Sequence, residues 1–409
     1  MASRNSKKSV MGVLPIILSI VSLKSTPACL TYRAVTVSLL PQHYKSFPAL
    51  ENWKKVCNLA YFTIKYFNYS LFSIHFSIIW KGDAMQQNQL LYLSREDVVK
   101  TGVTMVDIID SLEIAFREKG EGNTEMPPKP GIHPGGDDNF IHAMPAYIPA
   151  LKSAGIKWVS AFVDNLKRGI PYINGLVILN DVATGLPLSV MDGVWMTGMR
   201  TGAATALSAR YLARPDSSIA GILGCGIQGR TNLEALSVLF PIKRVTVYDK
   251  NMAAARAYAD EMGPRLNVTV EVVENPRQAV SGCDIVVTAG PLLKKPHATI
   301  KAGWLDEGAF ASLVDFDSYW HPDAMGEVTK FCTDDTAQIR HYQTLGYFEQ
   351  IPPIHADLGE LVTGRKAGRE TAAEITMTAN LGLAIDDMAV APLIYKQAKA
   401  RGIGTLLPL

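Results

Sequence analysis

The stretch Gly224-Cys225-Gly226-Ile227-Gln228-Gly229 spaces three glycines as G-x-G-x-x-G. It follows the apolar run "SIAGILG" and opens the helical pattern "GRTNLEALSVLF". In that context the first glycine permits a tight turn, the second lets backbone approach a pyrophosphate, and the third lets helix pack on strand. Free N–H groups at the helix start then face the phosphate charge. Asp249 ends the next strand-like run, twenty residues past Gly229. A carboxylate there accepts hydrogen bonds from ribose hydroxyls and repels a 2′-phosphate, which favours NAD over NADP.

A dinucleotide site does not name a substrate, and the candidates for that lie upstream. Lys157 interrupts an apolar strand pattern between Ile156 and Trp158; such a lysine snorkels, finds a partner or serves a ligand. Arg200 stands where the chain enters its nucleotide-binding half, and its planar guanidinium suits a carboxylate or a structural ion pair equally. "SLVDFDSYW" offers Asp315 and Asp317 at a strand end, the edge where such sheets place ligands. Period two puts both on one face only if the strand persists. The histidines are scattered without metal-ligand spacing, so no metal is expected.

These residues need elements to hold them. Ser94 and Thr104 each read as helix caps, the second with Asp107 completing a capping box. Then come the strand-like runs "FIHAMPAYI", "AGIKWVSAF", "GLVILND" and "LPLSVMDG", with "NDVATG" as a tight turn. They predict an antiparallel α+β region. From Thr201 a helix leads into alternating β and α segments, which predict a parallel sheet with helices on both faces. The expected fold is α/β: a Rossmann-type doubly wound parallel sheet plus an α+β domain. The expected boundaries are 85–200 for the latter, 201–380 for the NAD-binding domain, and 381–409 for a C-terminal helix returning to the first.

Composition excludes several classes. The chain has 409 residues and a formal charge of +2, with no basic run to track phosphates, so nucleic acid is not expected. Its five cysteines include Cys225, Cys283 and Cys332, which form no ligand-spaced cluster. That usage suggests a reducing compartment, and a cytoplasmic location is expected. Residues 1–84 differ in character. "VMGVLPIILSIVSL" is short for a membrane span, and Lys65 and His75 interrupt the aromatic-rich run that follows. The favoured reading is an extension outside the catalytic fold, with Met85 as the working start. Membrane association is expected only if that segment is a real targeting signal.

The chain resembles the ornithine cyclodeaminase/mu-crystallin family over about Leu90 to Ala400. The marks are "PPKPG", "MPAYI", "AGIKWV", "GLVILNDVATGLPLSVMDG", "MRTGAATALSARYLARPDS", "GILGCGIQGRTNLEAL" and "GLAIDDMAVA". The resemblance implies a homodimeric, two-domain enzyme acting on a small α-amino acid or cyclic imine, with the α+β domain serving substrate binding and dimerisation and the second domain binding the dinucleotide. It implies that Lys157 contacts the substrate, that Arg200 clamps its carboxylate, and that Lys129 assists. Asp317 matches the catalytic aspartate when the strand is anchored on Gly308; a shift of two selects Asp315. Thr288 would line the nicotinamide side, Asp249 the ribose, and Ala389 and Val390 would close the pocket. Two departures stand out. His142 replaces a glutamate suited to the distal amine of ornithine, and "YWHPDA" replaces a proline-and-lysine run.

The implied reaction is conversion of L-ornithine to L-proline and ammonia. Hydride passes to NAD and returns, with Asp317 and Lys157 handling protons and polarising the substrate. Two alternatives stand beside it. One is an NAD(P)H-dependent ketimine reductase or amino-acid dehydrogenase with net hydride transfer, and the other a mu-crystallin-like binding protein with little turnover.

Overall fold

The computed structural model describes residues 89–136 and 139–409, together with two short strands, β1 (Leu18–Ile20) and β2 (Val35–Val37), which pair antiparallel. That pair belongs to one compact unit, Met1–Asn88, and all that follows to a second, Gln89–Leu409. Met85, Cys29, Cys57, Lys65 and His75 lie outside the described residues. Among the described residues no helix is long and apolar enough to cross a membrane.

The first half of the larger unit is a mixed sheet. It contains β3 (Gln89–Leu93), β4 (Gly131–Ile132), β5 (Phe140–Ile148), β6 (Ser153–Ala161), β7 (Ile173–Asn180) and β8 (Pro187–Asp192). The antiparallel expectation needs one correction, because β3 pairs with β8 in parallel. The helices Arg95–Lys100 and Met105–Glu121 intervene after β3, so the chain returns by a crossover that a hairpin does not need. Both helices begin with capping boxes, at Ser94/Asp97 and Thr104/Asp107. In the β7–β8 turn, Asp181 Oδ1 accepts from the amides of Ala183 and Thr184, and Gly185 takes a φ of 75°.

Alternation along these strands sorts the side chains. Leu91, Leu93, Met144, Lys157, Val159, Val177 and Met191 are buried on the inner face. The outer face carries Tyr92, Trp158 and Leu176, exposed by 40%, 49% and 45%. Trp158 and Leu176 are direct cross-strand partners.

The second half is a parallel sheet. Its strands are β9 (Ile219–Leu223), β10 (Arg244–Tyr248), β11 (Thr269–Val272), β12 (Ile285–Thr288), β13 (Phe310–Leu313), β14 (Lys330–Thr333), β15 (Ile354–Asp357) and β16 (Thr376–Ala379). Their order is β11-β10-β9-β12-β13-β16-β14-β15, all pairs parallel. The order reverses between β9 and β12, the switch point at which doubly wound sheets bind ligands.

One helix, Gly193–Leu212, runs from the first sheet into the second half. It starts well before the Thr201 of the sequence reading, so the boundary drawn at 200/201 falls inside it. Asp192 explains the early start: its side chain caps the helix by accepting from the Trp195 amide at 3.1 Å. A last helix, Ala384–Arg401, packs on β5, β6 and the helix Met105–Glu121. It leads into β17 (Thr405–Pro408), which pairs antiparallel with β3.

Candidate functional site

The glycine motif lies where β9 meets the helix Ile227–Leu239. Gly224 takes a φ of 107°, and a Cβ there would stand 2.5 Å from the Ala289 carbonyl. Gly229 approaches as closely, its Cβ position 2.2 Å from the Gly224 carbonyl. Gly226 is different. Its φ is −84°, a Cβ would meet nothing within 4 Å, and no side chain caps the helix it begins. Unclaimed N–H groups therefore point across an open space of the kind a pyrophosphate fills. Ile227, half exposed, borders that space, while Gln228 is partly buried. Asp249, just past β10, accepts from the Cys225 amide at 2.8 Å and the Asn251 amide at 2.8 Å. It thus ties the glycine loop to the neighbouring strand end. The residues fit a dinucleotide.

A second group gathers at the C-terminal edge of the same sheet. Arg200 projects from the helix Gly193–Leu212, whose Gly198 and Gly202 pack directly on Ile227 and Thr231 of the nucleotide-side helix. Its guanidinium lies against Gly382, past the end of β16. Lys129 reaches the Leu381 and Gly382 carbonyls, with its ammonium 5.8 Å from the centre of the Tyr342 ring. Lys157 is fully buried, with Nζ 2.7 Å from Asp387 Oδ2 and 2.8 Å from Oδ1. From β9 to β16 is three strand spacings, about 14 Å, a distance an extended dinucleotide spans.

Three carboxylates face these cations: Asp334 past β14, and Asp386 and Asp387 on the helix Ala384–Arg401. The sequence reading did not single them out. Their signal was adjacent acids inside the apolar "GLAIDDMAVA", which no amphipathic face leaves in solvent. Burial pushes the Lys157 and Lys129 ammoniums down to about 8, and Arg200 pushes the same way in both. Burial raises Asp386 to about 7 and Asp334 to about 6. Arg200 is engaged loosely. Its Nη1 is 3.3 Å from Asp386 and its Nε is 3.4 Å from Asp387, without a hydrogen bond at Nε. Charge-assisted bonds normally close to about 2.7–2.9 Å, so this buried fork has donors to offer a ligand.

The two aspartates of "VDFD" part company. β13 ends at Leu313, and Phe316 adopts a φ of 62°, which breaks the period-two relation. Asp315 accepts from Thr288 Oγ1 at 2.6 Å and the Gly290 amide at 2.8 Å. The Thr288 hydroxyl also accepts from Trp320 Nε1 at 3.1 Å, so its side chain is committed to the protein interior. Asp317 keeps Oδ1 buried without a partner, and burial raises its pKa. Its cavity is lined by Trp320, His321, Phe348 and Glu349, and no hydrogen bond or ion pair among the described residues joins it to Lys157, Lys129 or Arg200.

Ala389 and Val390 are buried in the core between the last helix and the first sheet. The Ala389 carbonyl accepts from Ser111 at 2.8 Å. His142, on β5, pairs across from Gly131 and stacks on Phe140 with ring centroids 4.2 Å apart. Burial, with Lys129 and His133 adding to it, holds the His142 ring down at about 4. It is neutral at physiological pH and supplies no counter-charge to a second ammonium. Among the described residues no cluster of His, Cys, Asp or Glu is arranged to hold a metal.

Similar proteins share this arrangement of halves. The alanine dehydrogenase of Archaeoglobus fulgidus is 34% identical over 328 residues, 78% of this chain and 98% of its own. The structure of Thermococcus litoralis Δ1-pyrroline-2-carboxylate reductase in complex with NADH and L-proline matches with a TM-score of 0.71 at 35% identity. It covers 77% of this chain and 99% of its own. An archaeal alanine dehydrogenase dimer with bound NAD matches with a TM-score of 0.70 at 33% identity, over 78% and 99%. The sequence model of the ornithine cyclodeaminase/mu-crystallin family matches residues 90–402, and the chain belongs to that family.

Proposed function

We propose that the protein is an NAD(H)-dependent oxidoreductase of small α-imino and α-amino acids, carrying a net hydride transfer. The observation that carries this reading is the buried, loosely held fork of Arg200 at the ligand edge of the sheet. Beside it stand two ammoniums of lowered pKa and, three strands away, an open glycine cradle. Such a fork binds a carboxylate. The relatives' names and ligands support the same chemistry: alanine dehydrogenase, and a pyrroline carboxylate reductase holding NADH and L-proline.

In this reading Arg200 and Lys129 hold the substrate carboxylate and turn the α-carbon toward the nicotinamide. NADH, when bound, supplies the hydride that reduces the imine carbon. The amine nitrogen gains the proton, and Lys157, positioned by Asp387, is the group that handles it. Lys157 is an acid only while protonated. Reduction is therefore expected to fall as pH rises through about 8, where its lowered pKa lies. Ornithine cyclodeamination is the second reading, favoured by one observation, the unpartnered Oδ1 of Asp317. It needs a group to receive a distal amine, and neutral His142 does not provide one.

The test combines two incubations. With Δ1-pyrroline-2-carboxylate or with pyruvate and ammonia, the full chain is expected to oxidise NADH in proportion to amino acid formed. With L-ornithine and NAD+, proline and ammonia appearing without NADH would instead establish the cyclodeaminase.

The protein is further proposed to be a homodimer through the outer face of the first sheet. Tyr92, Trp158 and Leu176 are exposed apolar side chains there, the last two as cross-strand partners, and grouped exposed apolar side chains mark interaction surfaces. A 33%-identical relative is a dimer. Leu176→Asp together with Trp158→Glu is expected to halve the mass seen by light scattering; an unchanged mass would remove this face from the interface.

A further inference from the structure

Asp386 is fully buried, and only one of its oxygens is occupied. Oδ2 accepts from the Leu383 amide at 2.9 Å and faces Arg200 Nη1 at 3.3 Å, whereas Oδ1 has no hydrogen-bond partner. Its two carboxylate neighbours are better held. Asp387 is clasped by Lys157, and Asp334 accepts from the Gly382 amide at 2.7 Å. The groups facing Asp386 are Arg200 from the helix Gly193–Leu212, Asp334 from the turn after β14, Lys129 from the segment before β4, and Asp387 from its own helix. Lys157 on β6 stands one ion pair further away.

These six side chains balance, three cations against three carboxylates, when all are ionised. A substrate carboxylate on Arg200 adds a negative charge beside three fully buried carboxylates. It also draws Arg200 away from Asp386, whose Oδ1 has neither a hydrogen bond nor an ion pair among the described residues, whereas Asp387 Oδ2 keeps Lys157 at 2.7 Å. An ionised buried oxygen without a partner is costly, and a proton relieves it most simply.

We infer that docking of a carboxylate on Arg200 draws a proton from solvent onto Oδ1 of Asp386, so that substrate binding and proton uptake are one event. The inference rests on the proposed role of Arg200 as the carboxylate clamp. No bond forms to the ligand; a carboxylate becomes a carboxylic acid and returns the proton when the ligand leaves. Burial already places Asp386 near its switching point, at about 7.

The test is calorimetric and needs no turnover. The full chain with NAD+ is titrated with cyclopentanecarboxylate, a ring carboxylate without an ionisable nitrogen, in two buffers of different ionisation heat. Near pH 7 both lysines, at about 8, are mostly protonated already and add little. Wild type is expected to take up about half a proton more per carboxylate bound than Asp386→Asn, whose remaining uptake comes from the two lysines and from Asp334 at about 6. Asparagine keeps the volume and the acceptor for the Leu383 amide. Equal uptake in both proteins, or wild-type binding without uptake, would overturn the inference and leave the clamp standing. Absence of any binding by wild type would remove the clamp and the inference together. If that variant does not fold, Asp334→Asn decides: retained uptake of about half a proton supports Asp386 as the acceptor, and its loss overturns the inference.

Discussion

Arg200→Lys is expected to lower kcat/KM for an α-imino acid by about 10²-fold, while the melting temperature stays near that of wild type. The two halves of that result have separate causes. Lysine keeps a positive charge beside Asp386 and Asp387, so neither buried carboxylate is stranded; stranding one costs about 3–5 kcal/mol. What lysine lacks is the planar fork that meets both carboxylate oxygens at once. A lost charge-assisted bond is worth about 1.5–3 kcal/mol, and about 1.4 kcal/mol is tenfold. Arg200→Met is the informative contrast, since it removes the charge as well and should lose stability along with activity. Steady-state kinetics and thermal unfolding on the same preparations separate these effects. Native kcat/KM in Arg200→Lys would reduce Arg200 to a structural ion pair.

The second large effect concerns the glycine loop, where two glycines of one motif should behave in opposite ways. Gly226→Val is expected to leave the melting temperature unchanged and to weaken NADH binding by about 10²-fold or more. Its backbone φ suits any L residue, and the added side chain enters space that no protein atom fills. Gly229→Ala should do the reverse to the fold. Its Cβ would sit 2.2 Å from the Gly224 carbonyl, a backbone atom that cannot yield cheaply, so helix and strand must separate. Fluorescence titration of NADH with thermal unfolding reads both. If Gly226→Val binds NADH normally, the open space in front of Gly226 is not where the dinucleotide lies.

Local signals in the sequence carried much of this. Strand–glycine–helix context around Gly224, the helix starts at Ser94 and Thr104, the capping box at Thr104, and the Asp181 turn are short-range chemistry, and the structure holds them where the residues indicated. Period-two alternation also accounts for Lys157, whose burial follows from its register with Val159 rather than from its own polarity. What escaped was set by distant partners. The parallel pairing of β3 with β8 depends on a crossover through two helices. The strands β14, KFCT, and β15, IHAD, lack the apolar run that marks the equally short β12, IVVT. Asp386 and Asp387 went unremarked because their cations come from residues 129, 157 and 200, far away in the chain. Asp317 was chosen by alignment over Asp315, and only the turn at Phe316 shows that the two face different surroundings.

The pairing of β17 with β3 has a consequence for how the chain is made. The inner face of the first sheet is covered by the helix Ala384–Arg401, and its edge by residues 405–408, more than 300 positions after β3. During synthesis that sheet leaves the ribosome long before this last helix exists. The part of its inner face over β5 and β6 then stays open, although the helix Gly193–Leu212 already packs on β7. The nucleotide half draws all eight of its strands from residues 219–379 and meets no such delay. The nucleotide half is therefore expected to fold first, with the earlier half closing onto it last. A ribosome-stalled chain ending near residue 380 should bind NADH-like ligands weakly or not at all at the Arg200 side, yet already protect β9 to β13 from protease.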